Sequence, residues 1–106
     1  MNASNMPGKR TILITGSTSG LGRRLAERLA APGTTLLLHG RNRQRGEEVM
    51  KVVQNAGGEA RFYAADLSSL AEVRNLADAI MKDNDRLDVL VNNAGIYLGE
   101  QDTRQL

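Results

Sequence analysis

The chain has 106 residues, 14 Lys plus Arg against 12 Asp plus Glu, a formal charge of +2 and no cysteine. Disulfides and cysteine-ligated metal are therefore excluded, and the single histidine, His39, cannot form a metal cluster alone. Acidic residues interleave with the arginines, aromatics make up only 3%, and no apolar run approaches the roughly 20 residues of a membrane helix, so neither a nucleic-acid nor a membrane partner is expected.

Met1 to Gly8 is polar, lacks the apolar core of a signal peptide, and reads as a flexible tail (1–8), with a cytoplasmic setting for the rest. Thr11 to Thr15 is a β-branched apolar run of the continuous kind that a parallel strand shows when both of its faces are covered. Leu21, Leu25 and Leu29 then recur every four residues with Ala26 and Ala30 beside them, an amphipathic helix ended by Pro32-Gly33. Thr34 to His39 predicts a second strand, and Val49, Val52, Val53 and Ala56 mark a second helix stopped by Gly57-Gly58. Ala60 to Ala64 predicts a third strand. Ser69 with Glu72 forms a capping box, after which Val73, Leu76, Ala77 and Ile80 trace one helical face. The last strand runs from Leu87 to Asn92, and periodicity is lost after Gly95. Strands separated by helix-length crossovers imply parallel pairing and a doubly wound α/β sheet.

The junction of the first strand and first helix is Thr15-Gly16-Ser17-Thr18-Ser19-Gly20-Leu21-Gly22. Glycines let the backbone turn tightly and approach phosphate oxygens, while the open N–H groups and dipole of a helix start favour an anion, so a dinucleotide pyrophosphate belongs here. The spacing Gly-x-x-x-Gly-x-Gly resembles the signature of the short-chain dehydrogenase/reductase family. Asn92-Asn93-Ala94-Gly95, directly after Val89-Leu90-Val91, resembles that family's Asn-Asn-Ala-Gly element. The resemblance runs from Lys9 to about Gly99 and covers the amino-terminal half of the family pattern. It implies a partial Rossmann-like fold of four strands, ordered 3-2-1-4, with three helices. Residues 9–106 then form one NAD(P)-binding domain truncated before the catalytic half.

Cofactor choice turns on the end of the second strand, where a carboxylate would accept the ribose hydroxyls of NAD. The sequence there is His39-Gly40-Arg41-Asn42-Arg43, with no carboxylate before Glu47. Arg41 suits a 2′-phosphate, so NADP is preferred over NAD; Arg45 reads as a solvated residue at a helix start. His39 reads as a strand-end residue packing its ring near the adenine site. The resemblance implies that Asp66 accepts from the adenine amino group with Leu67 beside the ring, although Asp66 could instead complement a helix dipole. It also implies that Asn92 ties the central strands together and that Ala94 and Gly95 let the ribose approach. The cofactor-binding set is Gly16, Ser17, Ser19, Gly20, Leu21, Gly22, Arg41, Asp66, Leu67, Asn93, Ala94 and Gly95, in which Ser17 fastens the loop as readily as it touches cofactor.

Family catalysis relies on a Ser and on a Tyr followed four residues later by a Lys. Here Tyr63 is followed at that distance by Leu67 and Tyr97 by Gln101, so no catalytic residue is assigned. The implied activity is alcohol/carbonyl hydride transfer on a small-molecule substrate. The Gly40–Arg43 run with Gly46-Glu47-Glu48 is similar to that of members acting on lipophilic, retinol-like alcohols. Two alternatives stand beside this: a non-catalytic dinucleotide-binding module, and an interaction piece that self-associates through the exposed sheet edge at Leu87–Asn92.

Overall fold

The computed structural model describes residues 9–93. The element order is β1 (Arg10–Ile14), α1 (Gly20–Leu29), β2 (Thr34–Gly40), α2 (Arg43–Asn55), β3 (Glu59–Ala64), α3 (Leu70–Asp83) and β4 (Val89–Val91). All pairings are parallel, and the four strands lie in the order β3-β2-β1-β4. This is the doubly wound parallel sheet that the alternating strand and helix patterns predict, with the partial Rossmann-like form and strand order that the family resemblance implies.

Side-chain alternation along the central strands divides the core between two faces. Ile12, Ile14, Leu36 and Leu38 pack with Ala26 of α1 and with Val49 and Val53 of α2. Leu13 and Leu37 point the other way and meet Ile80 and Leu76 of α3, with Tyr63 at the margin. Two helices thus cover one face and a single helix covers the other. Leu87, Val89 and Leu90 remain exposed, Leu90 at 57%.

Several boundaries and faces differ from expectation, each for a local reason. The last strand is Val89–Val91 rather than Leu87–Asn92. The Asp88 carboxylate accepts from Thr11 N at 2.8 Å and Asp88 N donates to Thr11 O at 2.9 Å, so a side-chain clamp replaces the first rung of the ladder. The Ser69 cap accepts from Glu72 N, but the Glu72 carboxylate turns to Asp66 N at 2.8 Å, so the box is not reciprocal. Ala77 is exposed, and the inward face of α3 carries Val73, Leu76 and Ile80. Leu21 is 67% exposed because the inward face of α1 starts at Gly22 and continues through Leu25, Ala26 and Leu29. The 1–8 segment lies outside the described residues.

Candidate functional site

The carboxyl ends of β1, β2 and β3 meet at a cavity of about 490 Å³. Gly16, Thr18 and Ser19 line it from the glycine loop, Gly40, Arg41, Asn42 and Arg45 from the β2–α2 connection, and Ala65, Asp66, Leu67 and Ser68 from the β3–α3 connection. His39 forms part of its floor. In open parallel sheets this carboxyl-end crevice is where ligands bind.

The loop holds its shape through short-range backbone demands and long-range bonds. Gly16 and Gly20 take φ of 64° and 58°, the left-handed region that side chains disfavour. Gly22 is needed for close approach: a Cβ there would lie 2.6 Å from Asn93 Nδ2 and overlap the Gly16 carbonyl. Asn93 Nδ2 donates to that carbonyl at 3.0 Å, tying β4 to the loop, while Thr15 Oγ1 donates to Asn92 Oδ1 at 3.1 Å. Ser17 is fully buried; its N and Oγ donate to His39 O at 2.8 and 3.2 Å, and its Oγ accepts from His39 N at 2.9 Å. Ser17 therefore fastens the loop to β2.

The three helix starts are treated differently. Asn42 Oδ1 accepts from Arg45 N at the start of α2, and Ser69 Oγ accepts from Glu72 N at the start of α3. Ser19 caps α1 with no side-chain hydrogen bond, and the first turn of α1 contains no acidic residue. The first N–H groups of a helix have no intrahelical partner, so this start, directly after the glycine loop, keeps donors and positive dipole for an anion.

Arg41, just before α2, and Arg45, in its first turn, both line the rim of the cavity, and Arg45 is solvent-exposed there. Arg43 instead lies 5.7 Å from the centroid of the Phe62 ring, a cation–π contact outside the cavity. Asp66 does not cap α3. Its Oδ1 accepts from Ser68 N and Oγ at 2.9 and 2.7 Å, and these bonds, helped by the Arg41 charge, hold its carboxyl below the usual carboxylate range.

Of the sequence-predicted set, Gly16, Ser19, Arg41, Asp66 and Leu67 line the cavity; Gly20 and Gly22 lie in the adjoining first turn of α1; Leu21 projects to solvent there. Ser17 and Asn93 act from behind the loop. Ala94 and Gly95 lie outside the described residues. Sequence reading missed Thr18, whose methyl and hydroxyl pack against the buried Gly40, and the double anchoring of His39. Neither leaves a local signal, because their contacts cross between strands.

A second cavity of about 290 Å³ lies at the opposite, amino-terminal end of the sheet. Lys9, Arg10, Arg61 and Arg86 alternate there with Glu59, Asp83 and Asp85, and Arg86 pairs with Asp88, so its charges largely compensate one another. Among the described residues no group of three or more His, Cys, Asp or Glu is placed to hold a metal. No described helix is long and apolar enough to cross a membrane.

The family described as short chain dehydrogenase matches residues 10–106. A 3beta-hydroxysteroid dehydrogenase of Mediterraneibacter gnavus is 39% identical over 98 residues, covering 92% of this chain and 36% of the relative. A metagenomic short-chain oxidoreductase solved in complex with NADP aligns with TM-score 0.74 at 32% identity, over 79% of this chain and 38% of that one. An NADH-dependent reductase complexed with NAD aligns with TM-score 0.71 at 34% identity, over 79% of this chain and 35% of that one. The chain thus spans about a third of the length of such relatives, less than the half that its motifs suggest.

Proposed function

Because this chain belongs to the short-chain dehydrogenase family, an oxidoreductase family with structures holding NADP or NAD, we propose that it is the NADP(H)-binding portion of an enzyme interconverting an alcohol and a carbonyl. The observation that carries this reading is the uncapped start of α1 beside a cavity whose rim holds Arg41 and Arg45 and no carboxylate at the end of β2. When bound, the cofactor supplies hydride transfer at its nicotinamide.

Gly20, Leu21 and Gly22 offer their N–H groups to the pyrophosphate, and Gly16 gives the turn that brings the backbone close. Arg41 pairs with the 2′-phosphate, and Arg45 adds a second cation from the first turn of α2. Ser19 stands at the mouth of the loop. Asp66 Oδ1 is taken by Ser68, and no described residue hydrogen-bonds Oδ2, which suits the adenine amino group; Leu67 packs on the ring. Asn93 holds the loop from β4, and Ala94 and Gly95 leave room for the nicotinamide ribose. The catalytic Tyr and Lys of the family pattern have no counterpart among these residues, so chemistry requires groups beyond them. We place the protein in the cytoplasm.

Titration with NADPH and NADH tests the reading. NADPH should bind at least tenfold more tightly, a difference of about 1.4 kcal/mol, since a charged hydrogen bond contributes about 1.5–3 kcal/mol. Arg41→Ala should remove most of that difference. A second reading, self-association through the sheet edge, is favoured by exposed Leu87, Val89 and Leu90 on β4 and its approach, with β4 paired only to β1 among the described residues.

A further inference from the structure

His39, the next-to-last residue of β2, is only 4% exposed, and both of its ring nitrogens are engaged. Gly16 N lies 3.0 Å from Nδ1, and Nε2 lies 2.9 Å from the Ala65 carbonyl oxygen. An N–H can only donate and a carbonyl can only accept, so these partners fix one tautomer: bare Nδ1, protonated Nε2. The ring therefore bridges the glycine loop to the end of β3 from beneath the cavity, while the backbone of the same residue holds Ser17. Three strand ends that must stay in register are joined through one residue.

We propose that His39 is the positioning residue of the glycine loop, and that its neutral imidazole is required for that loop to capture the cofactor. This rests on the cofactor reading given above. A proton on Nδ1 sets donor against donor at Gly16, and the buried amide loses its acceptor at the residue whose φ of 64° shapes the turn. The charged groups around the ring are Arg41 and Arg45 from the β2–α2 side and Asp66 from the β3–α3 side. Glu72 of α3 is held on Asp66 N, and the glycine loop and the carboxyl end of β1 contribute no charge.

His39 is the sole histidine in the chain, so imidazole signals in ¹⁵N-labelled protein belong to it without assignment ambiguity. Nitrogen–proton correlation spectra of the full chain at about pH 8 should show bare Nδ1 and protonated Nε2. The Gly16 amide should be protected from hydrogen exchange in wild type and in His39→Asn, whose amide oxygen sits one atom beyond Cγ as Nδ1 does, and should lose that protection in His39→Leu. The Nδ1–H tautomer overturns the proposal without any variant, and equal Gly16 protection in wild type and His39→Leu overturns it as well.

NADPH affinity is measured at about pH 8 for wild type, His39→Asn and His39→Leu. His39→Leu should bind about tenfold more weakly than wild type, and His39→Asn should recover most of that loss, because it restores an acceptor to the Gly16 amide. Equal affinity in wild type and His39→Leu overturns the role of His39 while leaving cofactor binding intact. No binding by any of the three proteins overturns the cofactor reading and the capture claim together.

Discussion

Replacing Gly22 with alanine should be costly although the residue sits in a helix, where alanine is ordinarily favoured over glycine by about 1 kcal/mol. The added Cβ would lie 2.6 Å from Asn93 Nδ2 and overlap the Gly16 carbonyl, a backbone group that can retreat only if the loop moves. Forcing a methyl into such a packed contact costs about 1–3 kcal/mol, and parting Asn93 from Gly16 O, now 3.0 Å apart, removes about 1 kcal/mol more. Set against the propensity gain, the net loss is about 1–3 kcal/mol, out of the ~5–15 kcal/mol typical of a whole domain. Urea denaturation followed by far-ultraviolet circular dichroism measures it, and NADPH affinity should fall in parallel because the same displacement moves the loop. Gly20→Ala is the control: its Cβ meets open space, so only the φ of 58° is penalised, by about 1 kcal/mol. A Gly22→Ala protein within about 0.5 kcal/mol of wild type would refute the close-approach argument.

Ser17→Ala should destabilise by about 1–3 kcal/mol, since it strips the buried His39 N–H of its acceptor; a loss below about 0.5 kcal/mol in the same urea assay, roughly the level of a surface change, contradicts this. The Asp88 carboxyl is held below the usual carboxylate range by the Thr11 N–H and then by Arg86, so its contribution is present above the unfolded value of about 3.9 and disappears as pH falls through the folded value. Asp88→Asn should therefore be less stable than wild type at neutral pH, with the two denaturation curves converging in acid; parallel curves at all pH would count against the clamp on β4. The exposed edge at β4 predicts concentration-dependent sedimentation that Leu90→Asp suppresses, and a monomer at all concentrations argues against self-association.

The alternation of strands and helices and the parallel pairing were legible because their cause is local, apolar runs of strand length separated by helix-length crossovers, whereas the order of the strands came from the family resemblance. The glycine loop was legible because its residue types answer to backbone geometry, seen in the positive φ of Gly16 and Gly20. What escaped depends on distant contacts. The ring of His39 meets partners 23 and 26 residues away, and no local pattern around it names them. The place of Arg45 on the cavity rim depends on how the β2–α2 connection lies beside the glycine loop and the β3–α3 connection, and Leu21 lies outside the core because the inward face of α1 starts at Gly22. The start of β4 shifted from Leu87 to Val89 because Asp88 bonds through its side chain, which strand periodicity does not register.

The most direct measurement is a titration of the ¹⁵N-labelled chain with adenosine 2′,5′-bisphosphate, reading each backbone amide. Cofactor capture at the carboxyl-end cavity requires the largest shifts at Gly16, Ser19, Arg41, Asp66 and Leu67, with weaker binding of adenosine 5′-phosphate. Shifts centred instead on Lys9, Arg61 and Arg86 around the opposite cavity, or a folded spectrum unmoved by either nucleotide, would contradict it.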